Sequence, residues 1–175
     1  MQKCIAILSI ASSLVLISNV AKAQDKLFVE KVYFDDEAIN HEYHQEIYSC
    51  LYSGITAWSD HSDFTNVLFE KSEDDGNWDI FITVRPRSWF KSHKLGDTKV
   101  GITTPLKNGK NAIIIASDNN DCEFISQTIT HEVGHALGLK HTFDKNSVMF
   151  PDSDGSKTIS NTDLVKVRDL FFKRN

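Results

Sequence analysis

Apolar residues alternate with polar ones in some stretches of this chain and recur every three to four positions in others. That change of period divides the sequence into strands and helices. Residues 27–34 (LFVEKVYF) read as a strand. From Tyr43 through Ile47, Cys50, Leu51, Gly54 and Ile55 to Trp58 the spacing is that of one helix face, which predicts a long amphipathic helix. Residues 64–70 and 78–84 read as two more strands, separated by the turn-forming cluster at 72–77. Residues 99–104 and 112–116 make a further pair around the turn at 107–110. A second long helix is predicted to begin near Asn120 or Asp121. Asn120 and Glu123 have capping-box spacing there, and Phe124, Ile125 and Ile129 open a buried side. The last helix follows Ser160 as N-cap, with Ile159 and Leu164 placed as a hydrophobic staple and Leu164, Val167, Leu170 and Phe171 as its core stripe. No repeat, low-complexity tract or linker divides the chain, so five strands and three helices describe one α+β domain with room for a real core.

The second helix carries the chemistry. Residues His131-Glu132-Val133-Gly134-His135-Ala136-Leu137-Gly138-Leu139-Lys140-His141 spell H-E-x-x-H-x-x-G-x-x-H. Residues four apart share a helix face, so His131 and His135 can present their imidazoles to one metal ion. Gly138 can leave the helix in a left-handed conformation that other residues resist, bringing His141 back as a third ligand. Three protein ligands leave a fourth tetrahedral position open, the mark of a catalytic rather than a closed structural zinc site. Glu132 stands beside the first ligand, within reach of water at that position. The first five residues alone could be an ordinary helix face. The extended pattern should recur by accident on the order of once in 10^5 such chains, which decides for a metal site.

Composition and charge narrow the setting. Lys3, the apolar or small run from Cys4 to Val20 and the small-residue site Ala21-Lys22-Ala23 resemble an export signal, giving an expected mature protein of residues 24–175. A membrane anchor is the poorer reading because Ser9, Ser12, Ser13, Ser18 and Asn19 interrupt the run. Removing residues 1–23 takes two lysines and no acid, carrying the formal net charge from −5 to −7. An acidic surface argues against nucleic acid as a partner. The basic-aromatic stretch of Arg85, Arg87, Trp89, Phe90, Lys91 and Lys94 is expected to be a solvated loop. Cys50 and Cys122 remain after cleavage. In an exported chain such a pair is a disulfide candidate, and two separate thiols are the alternative.

Beyond His141 the chain continues Thr142-Phe-Asp-Lys-Asn-Ser-Val-Met149-Phe150-Pro151, which resembles the Met-turn of the metzincin zinc peptidases. Met149 is the only methionine after the first residue. Within that clan the chain is most similar to the matrixins, the matrix metalloproteinase family, which carry Ser or Thr where Thr142 stands. Ile47-x-x-Cys50-Leu51-x-x-Gly54-Ile55-x-x-Trp58-Ser59 follows the first matrixin helix, Trp78-Asp79-Ile80-x-Ile82 its third strand, and Ile159-Ser160-x-x-Asp163-Leu164 the opening of its last helix. With gaps, the likeness spans about residues 27–171.

The resemblance implies a zincin-like catalytic domain. Its parts would be a twisted five-stranded mixed sheet, two long helices and a small C-terminal subdomain holding the Met-turn and final helix. It also implies a zinc endopeptidase acting on protein or peptide substrates; with the export signal this makes a small secreted peptidase, for which a monomer is the default expectation. His131, His135 and His141 would hold one zinc ion, Glu132 would activate the zinc-bound water, and Met149 would form a packed floor. Substrate would lie extended along the edge strand near residues 100–104, with side-chain choice set between the zinc helix and the segment after Pro151.

Three departures from the family are visible. No Pro-Arg-Cys-Gly segment occurs, so latency through a cysteine on zinc is not expected. His93 is the only histidine between residues 85 and 118, so the family's second, structural zinc is not expected either. Its calcium ligands are echoed only in part by Asp118, Asp121 and Glu123, which serve equally well as loop and helix-cap groups. The competing functional reading is a non-proteolytic zinc-containing binding protein of the same fold. Glu132 weighs against it, because a structural metal has no use for that carboxylate.

Overall fold

The computed structural model describes residues 27–39, 44–96, 98–118, 121–152 and 156–173. The expected export signal at residues 1–23, Tyr43 and Asn120 lie outside them. The elements in chain order are β1 (Phe28–Phe34), α1 (His44–Ser59), α2 (Ser62–Thr65), β2 (Val67–Lys71), β3 (Ile80–Arg85), α3 (Arg87–Ser92), β4 (Gly101–Pro105), β5 (Asn111–Ala116), α4 (Cys122–Ala136) and α5 (Asn161–Phe172), with a short 3-10 turn at Lys107–Gly109.

The five strands form one sheet in the order β2-β1-β3-β5-β4. Four of them run parallel, and β4 closes one edge antiparallel to β5, from Gly101 opposite Ile115 to Pro105 opposite Asn111. A tight turn suffices for that antiparallel pair, whereas each parallel step needs a crossover. The longest crossover, from β1 to β2, carries α1.

Helices α1 and α4 pack against each other and across one face of the sheet, α1 over β2 and α4 over β4 and β5. The predicted face of α1 is the buried one: Ile47, Cys50, Leu51, Ile55 and Trp58 all lie in the core. They meet Val32 and Phe34 of β1, Ile80 and Ile82 of β3, Ile113 and Ile115 of β5 and Ile129 of α4. The indole of Trp58 donates to the carbonyl of Thr130 at 2.9 Å, so its only polar atom is satisfied inside that core. Cys50 and Cys122 are joined by a disulfide between the middle of α1 and the first residue of α4. On the opposite face of the sheet the half-buried Tyr33 and Phe81 stack on each other.

Three expectations about local structure change. Phe64 and Thr65 do not begin a strand; they belong to α2, and Asn66 in a left-handed conformation (φ 58°) turns the chain into β2 at Val67. The short stretch 64–69 (FTNVLF) hid this, because periodicity cannot separate a short helix from a strand. The basic-aromatic stretch is also not a loop. Residues 87–92 form α3, capped by Pro86 and anchored by the fully buried Phe90, with basic side chains left on its exposed face. The N-cap of α4 is Asp121, whose carboxylate accepts from the backbone N–H groups of Glu123 and Phe124. At α5 the Ser160 cap stands, completed into a capping box by Asp163.

Candidate active site

Helix α4 brings His131 and His135 to the same face one turn apart and ends at Ala136. Gly138 then takes a φ of 99°, a left-handed turn that is strained for any residue with a Cβ. Backbone bonds from Gly138 N to His135 O (2.9 Å) and from Leu139 N to Gly134 O (2.9 Å) close the helix terminus. The chain reverses and delivers His141. Its Nε2 lies 3.2 Å from Nε2 of His135 and 3.3 Å from Nε2 of His131.

This spacing is a test of the donor set. Zinc held by imidazoles at about 2.0–2.1 Å in tetrahedral geometry needs nitrogens about 3.3–3.4 Å apart. His141 thus stands at zinc spacing from both other rings, and the ligand nitrogens of all three lie within 4.8 Å of one another, so the donor set suits zinc. Among the described residues they are the one group of metal-ligating side chains with suitable spacing. Nδ1 of His131 donates to the carbonyl of Val148 (2.6 Å) and Nδ1 of His135 to that of Leu139 (2.9 Å), which fixes the tautomer that turns each Nε2 lone pair inward. Burial lowers the pKa of His131 and of His141, and the neighbouring rings push the same way, favouring the neutral form that binds metal.

Glu132 is 6% exposed and follows the first ligand on α4. Burial pushes its carboxyl above the usual carboxylate range, against the Thr103 hydroxyl, His135, Lys99 and His141, which favour the ionised form. A cleft of about 650 Å³ opens over these groups, walled by residues 98–103, by α4 and by Phe150, Pro151 and Asp152. A slightly larger cleft of about 710 Å³ lies between the end of α1, the start of α4 and residues 156–159, but none of the three histidines reaches it. Chemistry, not size, selects the first.

Met149 is fully buried and packs against Gly134. A methyl group built on Gly134 would collide with its sulfur, so the glycine in the middle of the motif is what allows the methionine to pack there. The turn carrying Met149 is fixed from both sides. Thr142 N donates to Met149 O (3.0 Å) and Val148 N to Thr158 O (2.7 Å). The Ser147 hydroxyl accepts from Met149 N (2.9 Å) and donates to the buried carboxylate of Asp163 (2.7 Å).

Sequence reading did not single out Gly101 or Thr103, and quoted Ser147 and Asp163 only for their likeness. The acids considered for calcium fare differently. Asp118 accepts from the N–H of Arg87 (2.6 Å) and Asp121 caps α4, so their placement lends calcium no support. His93 stacks on Trp89, away from the three-imidazole cluster.

Comparison with known proteins settles the kinship. The family profile described as Matrixin matches residues 33–172. The chain belongs to the matrixin family. It is 29% identical over 113 residues to matrix metalloproteinase-26 of Homo sapiens, covering 58% of this chain and 40% of that protein. It is 43% identical over 51 residues to matrilysin of Felis catus, covering 26% of this chain and 19% of the relative. The matrixin described here thus spans less than half the length of either relative. Its α+β metzincin architecture, with a five-stranded mixed sheet, is the one the family carries, and matrixins are in general zinc metalloendopeptidases.

Proposed function

We propose that this matrixin domain is an exported zinc-dependent endopeptidase that hydrolyses peptide bonds of protein substrates, with Glu132 as its general base and acid. One observation carries the reading: three imidazole nitrogens clustered within 4.8 Å of one another share a cleft with a buried carboxylate and an edge strand.

His131, His135 and His141 would hold the zinc ion. When bound, zinc supplies a Lewis acid that polarises the scissile carbonyl and lowers the pKa of water toward ~7. Glu132 takes the proton of the attacking water and passes it to the departing amine, so one carboxyl acts first as base and then as acid. Burial suits it to this exchange, because a carboxyl whose pKa is raised is a stronger proton acceptor when ionised. The outer edge of β4 pairs with no other strand among the described residues and offers backbone groups to an extended peptide, a recognition mode that tolerates many sequences.

Export is supported by the disulfide, which belongs to oxidising compartments. No helix among the described residues is long and apolar enough to cross a membrane.

Purified protein given a mixed peptide library should cleave it, lose cleavage to a chelator and regain it with zinc. Glu132→Gln should keep zinc while turnover falls roughly 10²–10⁴-fold. A variant with near-normal turnover would remove the base, and absence of any chelator-sensitive cleavage would leave a binding protein.

A further inference from the structure

Glu132 is held by a strand as well as by its own helix. The hydroxyl of Thr103 on β4 lies 2.7 Å from Oε2 of Glu132 and 2.8 Å from its main-chain carbonyl oxygen. Two residues earlier on the same strand face stands Gly101. A Cβ built there would sit 2.9 Å from both Cγ and Oε1 of Glu132 and 2.8 Å from Cγ2 of Thr128. Any larger residue would displace the carboxylate. The strand cannot drift, because β5 pins its register with Gly101 opposite Ile115 and Thr103 opposite Ile113.

We propose that Thr103 is a positioning residue for Glu132. Its hydroxyl anchors Oε2, and Gly101 leaves room beside Oε1, which becomes the oxygen that exchanges the proton. This rests on the reading of Glu132 as the base. The physical reason is rotamer freedom. A glutamate has three side-chain torsions and loses rate when it samples geometries that miss the reacting atoms. A hydrogen bond to an ionised carboxylate is among the stronger anchors available in a protein. The strand that would pair with substrate thereby also sets the carboxylate, so one edge aligns both partners of the reaction.

The test is Thr103→Val, which keeps shape and removes the hydroxyl, with Thr103→Ser as the conservative rescue. Each is made alone and in the Glu132→Gln background. Thr103→Val should lower kcat roughly 10- to 100-fold while KM and zinc content stay unchanged, and Thr103→Ser should recover activity to within about 3-fold. Calorimetric affinity for a peptide hydroxamate gives a readout independent of turnover. Thr103→Val should weaken it about 10-fold with Glu132 present and clearly less when Glu132 is already Gln, whose uncharged amide oxygen accepts a weaker bond. An unchanged kcat, an equal affinity loss in both backgrounds, or loss of zinc in Val and Ser variants alike would overturn the anchor. Should Glu132→Gln itself turn over normally, the base assignment fails and the anchor falls with it. A dead Glu132→Gln beside a fully active Thr103→Val removes the anchor alone.

Discussion

At the scale of single residues, Gly138 and His141 govern the proposed metal site. Gly138 carries a φ of 99°, and an added Cβ would also come to 3.4 Å from Leu170. Gly138→Ala should destabilise the fold by about 1–2 kcal/mol through the left-handed backbone, readable in chemical denaturation. It should also weaken zinc binding, because the same turn delivers the third imidazole. His141→Ala removes that imidazole directly. Its zinc affinity should drop sharply by elemental analysis after dialysis, while the fold persists because His141 is exposed and outside the core. An unchanged zinc stoichiometry and affinity in His141→Ala would remove this histidine from the ligand set.

At the scale of elements, the Met-turn and α5 form one unit through Asp163. This carboxylate is 1% exposed and accepts from Ser147 Oγ (2.7 Å), Ser160 N (3.0 Å) and Ser160 Oγ (2.7 Å). Asp163→Ala breaks the capping box and leaves the Ser147 hydroxyl buried without its acceptor, at a cost of about 3 kcal/mol. Because Ser147 Oγ also receives Met149 N, the variant should release zinc faster, a rate measurable with a colorimetric chelator. Asp163→Asn, which can still accept, should do less damage. If both variants hold zinc as tightly as the native protein, the link from α5 through Met149 to the proposed metal site is absent. The short elements show where pattern reading stops. Residues 87–92 are too few for a helical period to register, and α3 exists because Phe90 finds a core pocket after Pro86.

At the scale of the whole molecule, the disulfide ties the start of α4, which carries His131 and His135, to α1 across 72 residues of chain. Closing a loop of that length restrains the unfolded state by about 4 kcal/mol in the chain-entropy account. The double variant Cys50→Ala, Cys122→Ala should therefore melt at a clearly lower temperature than the oxidised protein, and reduction of the native protein should have the same effect. Equal melting points would show that the bridge constrains nothing. The sequence by itself determined the strands, the two long helices and the three-imidazole motif. Their physics is local, resting on alternation in a strand, a four-residue helical repeat and one glycine turn. Only the tertiary structure decided the bonds from Thr103 to Glu132, from Ser147 to Asp163 and from Cys50 to Cys122. Those partners stand 29, 16 and 72 positions apart, and they meet because sheet register and the crossing of α1 over α4 put them together.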